Sequence, residues 1–221
     1  MSLMAGFAVV AADIALGIYH KLNTIPFGVY GATRVGKTTL HNQLRTRGEV
    51  ADIKKRTVGL QRATRKSVKI DGDARTLKTA DIGGESKYWD LWKKDMKDRK
   101  VDYIIFVIDD RHLEQTYNLE NQLAWSYLVD LVCDDYWYIG KKRKKKKQFP
   151  KAVGLWANKY DKWGKEHKHE GPIEDHPIFQ SFKYGMQRLH DKGIPTHKYI
   201  VSAKSDPEMV YRGVMTMIKD Y

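Results

Sequence analysis

Cysteine is nearly absent: Cys133 is alone among 221 residues. One thiol excludes an internal disulfide framework and a cysteine-built zinc site, and it fits a reducing, cytoplasmic setting. Acidic residues are short as well, with 27 Asp and Glu against 40 Lys and Arg and a net charge of +13. More than half of that excess is one run of seven cations from Lys141 to Lys147, so the total does not by itself name an anionic partner. A basic leading region is missing, which argues against a secretory signal. Ser2 and Ala5 follow Met1 and Met4, so the glycine that myristoylation requires is missing too. The longest apolar stretch, Ala5 to Leu22, is barely long enough to span a bilayer and carries Asp13 in its middle. What is present, 42% hydrophobic and 11% aromatic residues, suffices for a real core in a single α/β domain.

Apolar periodicity organises the rest. Phe7, Val10, Ile14, Ile18 and Leu22 recur at helical spacing, so residues 1–23 read as an apolar helix. It could pack on the core, lie on a membrane surface or span it. Strands are expected at 25–30, 66–70, 75–80, 101–108, 152–157 and 199–201, and helices at 40–47, 113–133, 178–190 and 206–221. Strands alternating with helices predict an α/β doubly wound, mostly parallel six-stranded sheet flanked by helices. The 66–80 hairpin supplies one antiparallel edge strand. Residues 24–221 would then form one domain, with a basic insertion around 134–150.

Gly31-Ala32-Thr33-Arg34-Val35-Gly36-Lys37-Thr38 fits G-x-x-x-x-G-K-[ST] after a strand and before a helix. Such a loop turns backbone N–H groups inward around phosphates, assisted by the helix N-terminus. Thr33, Arg34, Val35, Gly36, Lys37, Thr38 and Thr39 are therefore phosphate-binding candidates. Lys37 would reach the β- and γ-phosphates, and Thr38 would ligate Mg²⁺.

Asn158-Lys159-Tyr160-Asp161 follows the strand at 152–157, where side chains emerge at the carboxyl edge of the sheet. A carboxylate there accepts from both guanine N1–H and N2–H₂, a pair that adenine cannot offer. Asp161 takes that role, Asn158 ties the loop to the phosphate loop, and the Lys159 stem covers the base. Ser202-Ala203-Lys204 after the last strand adds a backbone N–H for guanine O6. Asp81 in Asp81-Ile82-Gly83-Gly84-Glu85 would hold Mg²⁺ through a water, while Gly83 and Gly84 approach the γ-phosphate. Thr57 in Thr57-Val58-Gly59 would complete the metal's coordination, with Thr64 as its rival.

With these five segments in order, the chain resembles the Ras-like small GTPase superfamily. Thr57-Val58-Gly59, Asp81-Ile82-Gly83-Gly84 and Ile108-Asp109-Asp110 look most like its Arf/Sar branch. The resemblance implies Mg²⁺-dependent binding of GTP and GDP, GTP hydrolysis, and switch segments near 49–65 and 82–97 that signal to a regulator or effector protein. Lys37, Thr57 and Glu85 are then the catalytic candidates. Glu85 departs from the family, which carries glutamine at this position to orient the attacking water. An ionised glutamate only accepts hydrogen bonds and adds negative charge beside the γ-phosphate, so slow hydrolysis is expected. A GTP-binding module without turnover, a phosphotransferase or ATPase using the same loop, and a GTP-regulated nucleic-acid-binding protein using the basic run 141–147 are the alternatives.

The remaining features bear on partners. The run 141–147 reads first as a solvated loop, second as a contact for an anionic membrane surface, and third as one for nucleic acid. Trp89 and Trp92 either face a partner or pack on a neighbouring helix. His167, His169 and His176 lack a carboxylate at ligand spacing, so no metal beyond Mg²⁺ is expected.

Overall fold

A computed structural model describes residues 24–46, 57–60, 64–70, 73–114, 119–134, 138–139, 146–147 and 149–219. The apolar segment 1–23, most of the first switch segment and the cations 141–145 lie outside the described residues.

The elements alternate. They are β1 (Thr24–Gly31), α1 (Lys37–Thr46), β2 (Thr64–Ile70), β3 (Asp73–Thr79), α2 (Trp89–Arg99), β4 (Tyr103–Ile108), α3 (Glu120–Cys133), β5 (Ala152–Ala157), α4 (Lys183–Asp191), β6 (Thr196–Ile200) and α5 (Pro207–Lys219). Strands β3, β1, β4, β5 and β6 lie side by side and parallel. Strand β2 pairs with β3 antiparallel at the outer edge, from Thr64 opposite Thr79 to Ile70 opposite Asp73. Every residue of β4 and β5 is buried, as strands covered on both faces must be. From β1 the chain goes to β3 on one side and to β4 on the other. This makes the carboxyl end of β1 the topological switch point, where open α/β sheets bind ligands.

Large side chains fill the space between sheet and helices: Trp92, Trp156, Trp163, Tyr30, Phe27 and Phe106 are all fully buried. Each such side chain contributes about 2–3 kcal/mol through burial. Packing is close enough that a Cβ on Gly213 of α5 would press on the Trp156 ring, and one on Gly185 of α4 would overlap Trp125 of α3. At the buried end of α2, Asp95 accepts from Tyr30 Oη at 2.7 Å and from Arg99, whose guanidinium also donates to the carbonyls of Phe27 and Lys78.

The structure moves several expected boundaries. Helix α1 begins at Lys37 rather than 40, because its first turn springs from the glycine loop, with Leu40 N bonded to Gly36 O at 3.0 Å. Strand β4 begins at Tyr103 rather than 101, because the Val101 N–H closes the end of α2 on Met96 O. The single helix expected over 113–133 is two pieces, a turn at Arg111–Glu114 and then α3. Residues 111 and 120, nine apart on one continuous helix, would point to opposite faces. Both contact Thr33, which one continuous helix could not allow, and Leu119 before α3 is not helical. Residues 177–182 are 3₁₀ before α4, and Asp206 Oδ1 accepts from Glu208 N and Met209 N to cap α5. The last two cations of the basic run, Lys146–Lys147, pair antiparallel with Tyr138–Ile139 just before it.

Among the described residues, no helix is long and apolar enough to cross a membrane.

Candidate functional site

A cleft of about 440 Å³ opens at the carboxyl edge of β1 and β5. Its walls include Thr33, Arg34, Gly36, Lys37, Thr38 and Thr39 from the glycine loop, Thr57, Gly84 and Glu85 from the segments expected as switches, and Asn158, Lys159 and Asp161 from the turn after β5. Lys204 and Lys162 complete it, the latter unforeseen from the sequence. The sequence candidates Val35, Asp81, Ser202 and Ala203 stand behind this surface. Val35, Asp81 and Ala203 are almost wholly buried, and Ser202 is nearly so.

The glycine loop is shaped by backbone conformations that few residues adopt. Gly36 has φ 94°, where a side chain would be strained and its Cβ would collide with the Asn158 amide. Arg34 takes φ 64° and Lys159 φ 66°, left-handed conformations costing about 1 kcal/mol for residues with side chains. Both line the cleft. Lys37 is 6% exposed and donates to Ala32 O at 2.6 Å across its own loop. Burial lowers its ammonium to about 8, with the carboxylates of Asp81 and Glu120 opposing the shift.

Three oxygens converge beside Lys37. Thr57 Oγ1 lies 2.8 Å from Thr38 Oγ1 and donates to Asp81 Oδ2 at 2.9 Å, while Asp81 Oδ1 is buried with no hydrogen-bond partner. Adjacent ligands of an octahedral Mg²⁺, each about 2.1 Å from the metal, sit about 3 Å apart. An all-oxygen set at this spacing, with an orphaned carboxylate oxygen, fits that hard cation. Thr57 occupies this position, and Thr64 is the first residue of the edge strand.

The segments around Thr57 and Gly84 meet here. Gly83 N donates to Gly59 O at 2.9 Å, and Leu60 bridges Ile82. Trp89 Nε1 donates to Gly84 O at 3.0 Å and Trp92 Nε1 to Gly83 O at 3.4 Å. In a trans peptide the N–H points opposite to the preceding C=O, so holding Gly83 O turns the Gly84 N–H away from Trp92. A Cβ on Gly84 would overlap Lys37 Nζ and Ala32 O, so only glycine allows this approach. Both tryptophans pack inward, with the Trp89 ring centroid 5.2 Å from that of Tyr127 of α3 and the rings tilted by 35°. Glu85 pairs with Lys87 at 2.7 Å.

At the other end, Asn158 donates to Val35 O at 2.9 Å and accepts from Ala203 N at 3.0 Å, joining three loops through one side chain. Ser202 Oγ accepts from Asp161 N at 2.9 Å. Lys159 Nζ reaches Asp109 at 2.8 Å. Asp109 is fully buried and also receives Arg111 and Asn121. Burial resists its ionisation, but the cations of Lys159 and Arg111 outweigh burial and hold its carboxyl below the usual range. Arg111 and Glu120 were not singled out by the sequence. The signal for Arg111 is its place just past the carboxyl end of β4; Glu120 lies in an ordinary helical pattern and offers none.

Among the described residues no cluster of three His, Cys, Asp or Glu side chains is arranged to hold a metal. His176 instead uses Nδ1 to accept from Ile178 N, capping the 3₁₀ turn.

Residues 26–132 match the family model described as 50S ribosome-binding GTPase. No curated protein sequence matches the chain. The match spans the glycine loop, Thr57 and Asp81, and ends before Asn158 and Ser202. It supports a P-loop GTPase family and, with it, the binding of guanine nucleotide and GTP hydrolysis as a general activity.

Proposed function

We propose that this chain is a Mg²⁺-dependent GTP/GDP switch of slow intrinsic turnover, whose output is binding through the segments around Thr57 and Gly84. Supporting the reading above all is the single cleft that Lys37 and Thr38 share with Asn158, Lys159 and Asp161. Phosphate-binding and base-reading residues line one cleft. Asp161 accepts from the guanine N1–H and N2–H₂ edge, the loop from Thr33 to Thr39 holds the phosphates, and Lys37 neutralises the β- and γ-oxygens. Thr38, Thr57 and Asp81 would hold Mg²⁺, which when bound neutralises charge that develops on the phosphate oxygens. The T-x-G and D-x-G-G segments favour the Arf/Sar branch.

Calorimetric titration with GDP, a non-hydrolysable GTP analogue and ADP tests the base and the metal together. Guanine nucleotides are expected to bind at least about 100-fold more tightly than ADP, because a site built for the guanine edge leaves polar groups unpaired with adenine. Equal affinity for ADP overturns the assignment.

A second reading, a GTP-binding module with negligible hydrolysis, draws on Glu85. Its carboxylate is paired with Lys87 and cannot donate to the attacking water. No phosphate release over hours under single-turnover conditions favours this module over the switch.

The proposal extends to place. The apolar segment 5–22 and the cations 141–147 are the two signals that stable peripheral anchoring requires. Sedimentation with phosphatidylserine vesicles, with and without residues 141–147, tests it; equal recovery removes the run as a membrane contact, and no recovery of either chain removes the membrane from the reading.

A further inference from the structure

Thr33 is held at both ends of its backbone by side chains from outside the glycine loop. Its N–H donates to Glu120 Oε1 at 2.9 Å, and its carbonyl accepts from Arg111 Nη2 at 2.6 Å. Glu120 and Arg111 also pair with each other at 3.3 Å. Arg111 then sets its Nε between the two oxygens of Asp109, at 2.9 and 3.0 Å. The same buried carboxylate carries the ammonium of Lys159, at 2.8 Å, from the turn after β5. An unbroken chain of charge-assisted hydrogen bonds thus runs from the phosphate end of the cleft to its base end.

From this arrangement we propose that Arg111, Glu120 and Asp109 are positioning residues that hold Thr33 and Lys159 in the nucleotide-binding arrangement and thereby set the rate of nucleotide release. The inference rests on the guanine-nucleotide reading and deepens it. Arg34, the residue after Thr33, adopts its left-handed conformation without glycine's freedom, so external support is required there. Glu120 and Arg111 supply it from two directions, as a forked cation and a carboxylate are suited to do. Asp109 has a distinct task. It is the joint through which a disturbance at the base turn reaches the glycine loop.

Dissociation of a fluorescent N-methylanthraniloyl GDP from the full chain tests the inference. Glu120→Ala is expected to release the nucleotide about tenfold faster, because it frees the Thr33 N–H and leaves Arg111 half-paired. Glu120→Gln keeps an acceptor for that N–H but loses the charge facing Arg111, and about a threefold increase is expected. The Glu120→Ala and Arg111→Lys effects should be less than additive, since both act on one peptide unit. The ratio of GDP to inosine diphosphate affinity should stay at the wild-type value in Glu120→Ala and fall in Asp109→Asn, where Lys159 loses its partner. Wild-type release rates in Glu120→Gln and Arg111→Lys, in protein that binds GDP, overturn the proposal even if the alanine variant does not fold. Fully additive effects overturn it as well. Failure of the wild-type chain to bind GDP at all is a different result, and it overturns the nucleotide reading beneath.

Discussion

The side-chain amide of Asn158 donates to the carbonyl of Val35 at 2.9 Å, across 123 residues of chain. Its oxygen meanwhile accepts from Ala203 N, so one 2%-exposed side chain fixes the glycine loop, the turn after β5 and the loop after β6 together. Asn158→Ala leaves the Val35 carbonyl and the Ala203 N–H buried without partners. A stability loss of about 2–3 kcal/mol is expected, together with GDP affinity reduced by about 100-fold. Denaturant titration and calorimetry read the two effects separately.

Thr57 touches both Thr38 and Asp81, whereas Asp81 keeps one oxygen free of any hydrogen bond. The two residues should therefore differ in their dependence on the nucleotide. Thr57→Ala is expected to weaken a non-hydrolysable GTP analogue by about tenfold more than GDP, and Asp81→Asn to weaken both in the presence of Mg²⁺. Chelation of Mg²⁺ should accelerate GDP release from the wild-type chain. Unchanged release after chelation would contradict the oxygen cluster as a metal site.

Glu85 sits at the mouth of the cleft, paired with Lys87 on the surface. Glutamine in its place can both donate and accept, and it removes a negative charge beside the developing charge of the γ-phosphate. Single-turnover phosphate release from Glu85→Gln should rise by about tenfold. A rate equal to wild type would mean that this side chain takes no part in the chemistry.

The depressed carboxyl of Asp109 makes an acid-dependent contribution to stability. Its folded value lies below the ordinary 3.8 because Lys159 and Arg111 outweigh the opposing effect of burial. Folding therefore favours the ionised form: the contribution is complete above the unfolded value and is lost as pH falls through the folded one. Asp109→Asn should cost about 3 kcal/mol at pH 7, and the difference from wild type should shrink toward acid. Denaturant melts at neutral and acid pH check this sign; a difference that grows toward acid would contradict it.

Much of the site could be read from order and spacing alone. Gly36 must be glycine where φ is 94°, Lys37 and Thr38 must open a helix, and Asn158 to Asp161 must follow a buried strand; each is a local demand that a sequence displays. The parallel sheet follows from the apolar runs at 103–108 and 152–157, because strands covered on both faces need no polar alternation. Tertiary structure was needed wherever a residue's role depends on what the rest of the chain brings to it. Glu120 is an ordinary helical residue until α3, starting anew after the non-helical Leu119, brings it to the Thr33 N–H. The tryptophans at 89 and 92 leave a partner or a neighbouring helix equally open from their spacing, and only the packing of α2 on α3 turns their indoles to the Gly83 and Gly84 carbonyls. Cysteine's scarcity and the excess of cations constrained the setting, but the cleft's chemistry came from residues far apart in sequence. Side chains near in sequence are tied by local geometry; those that meet through long-range packing leave no periodic trace.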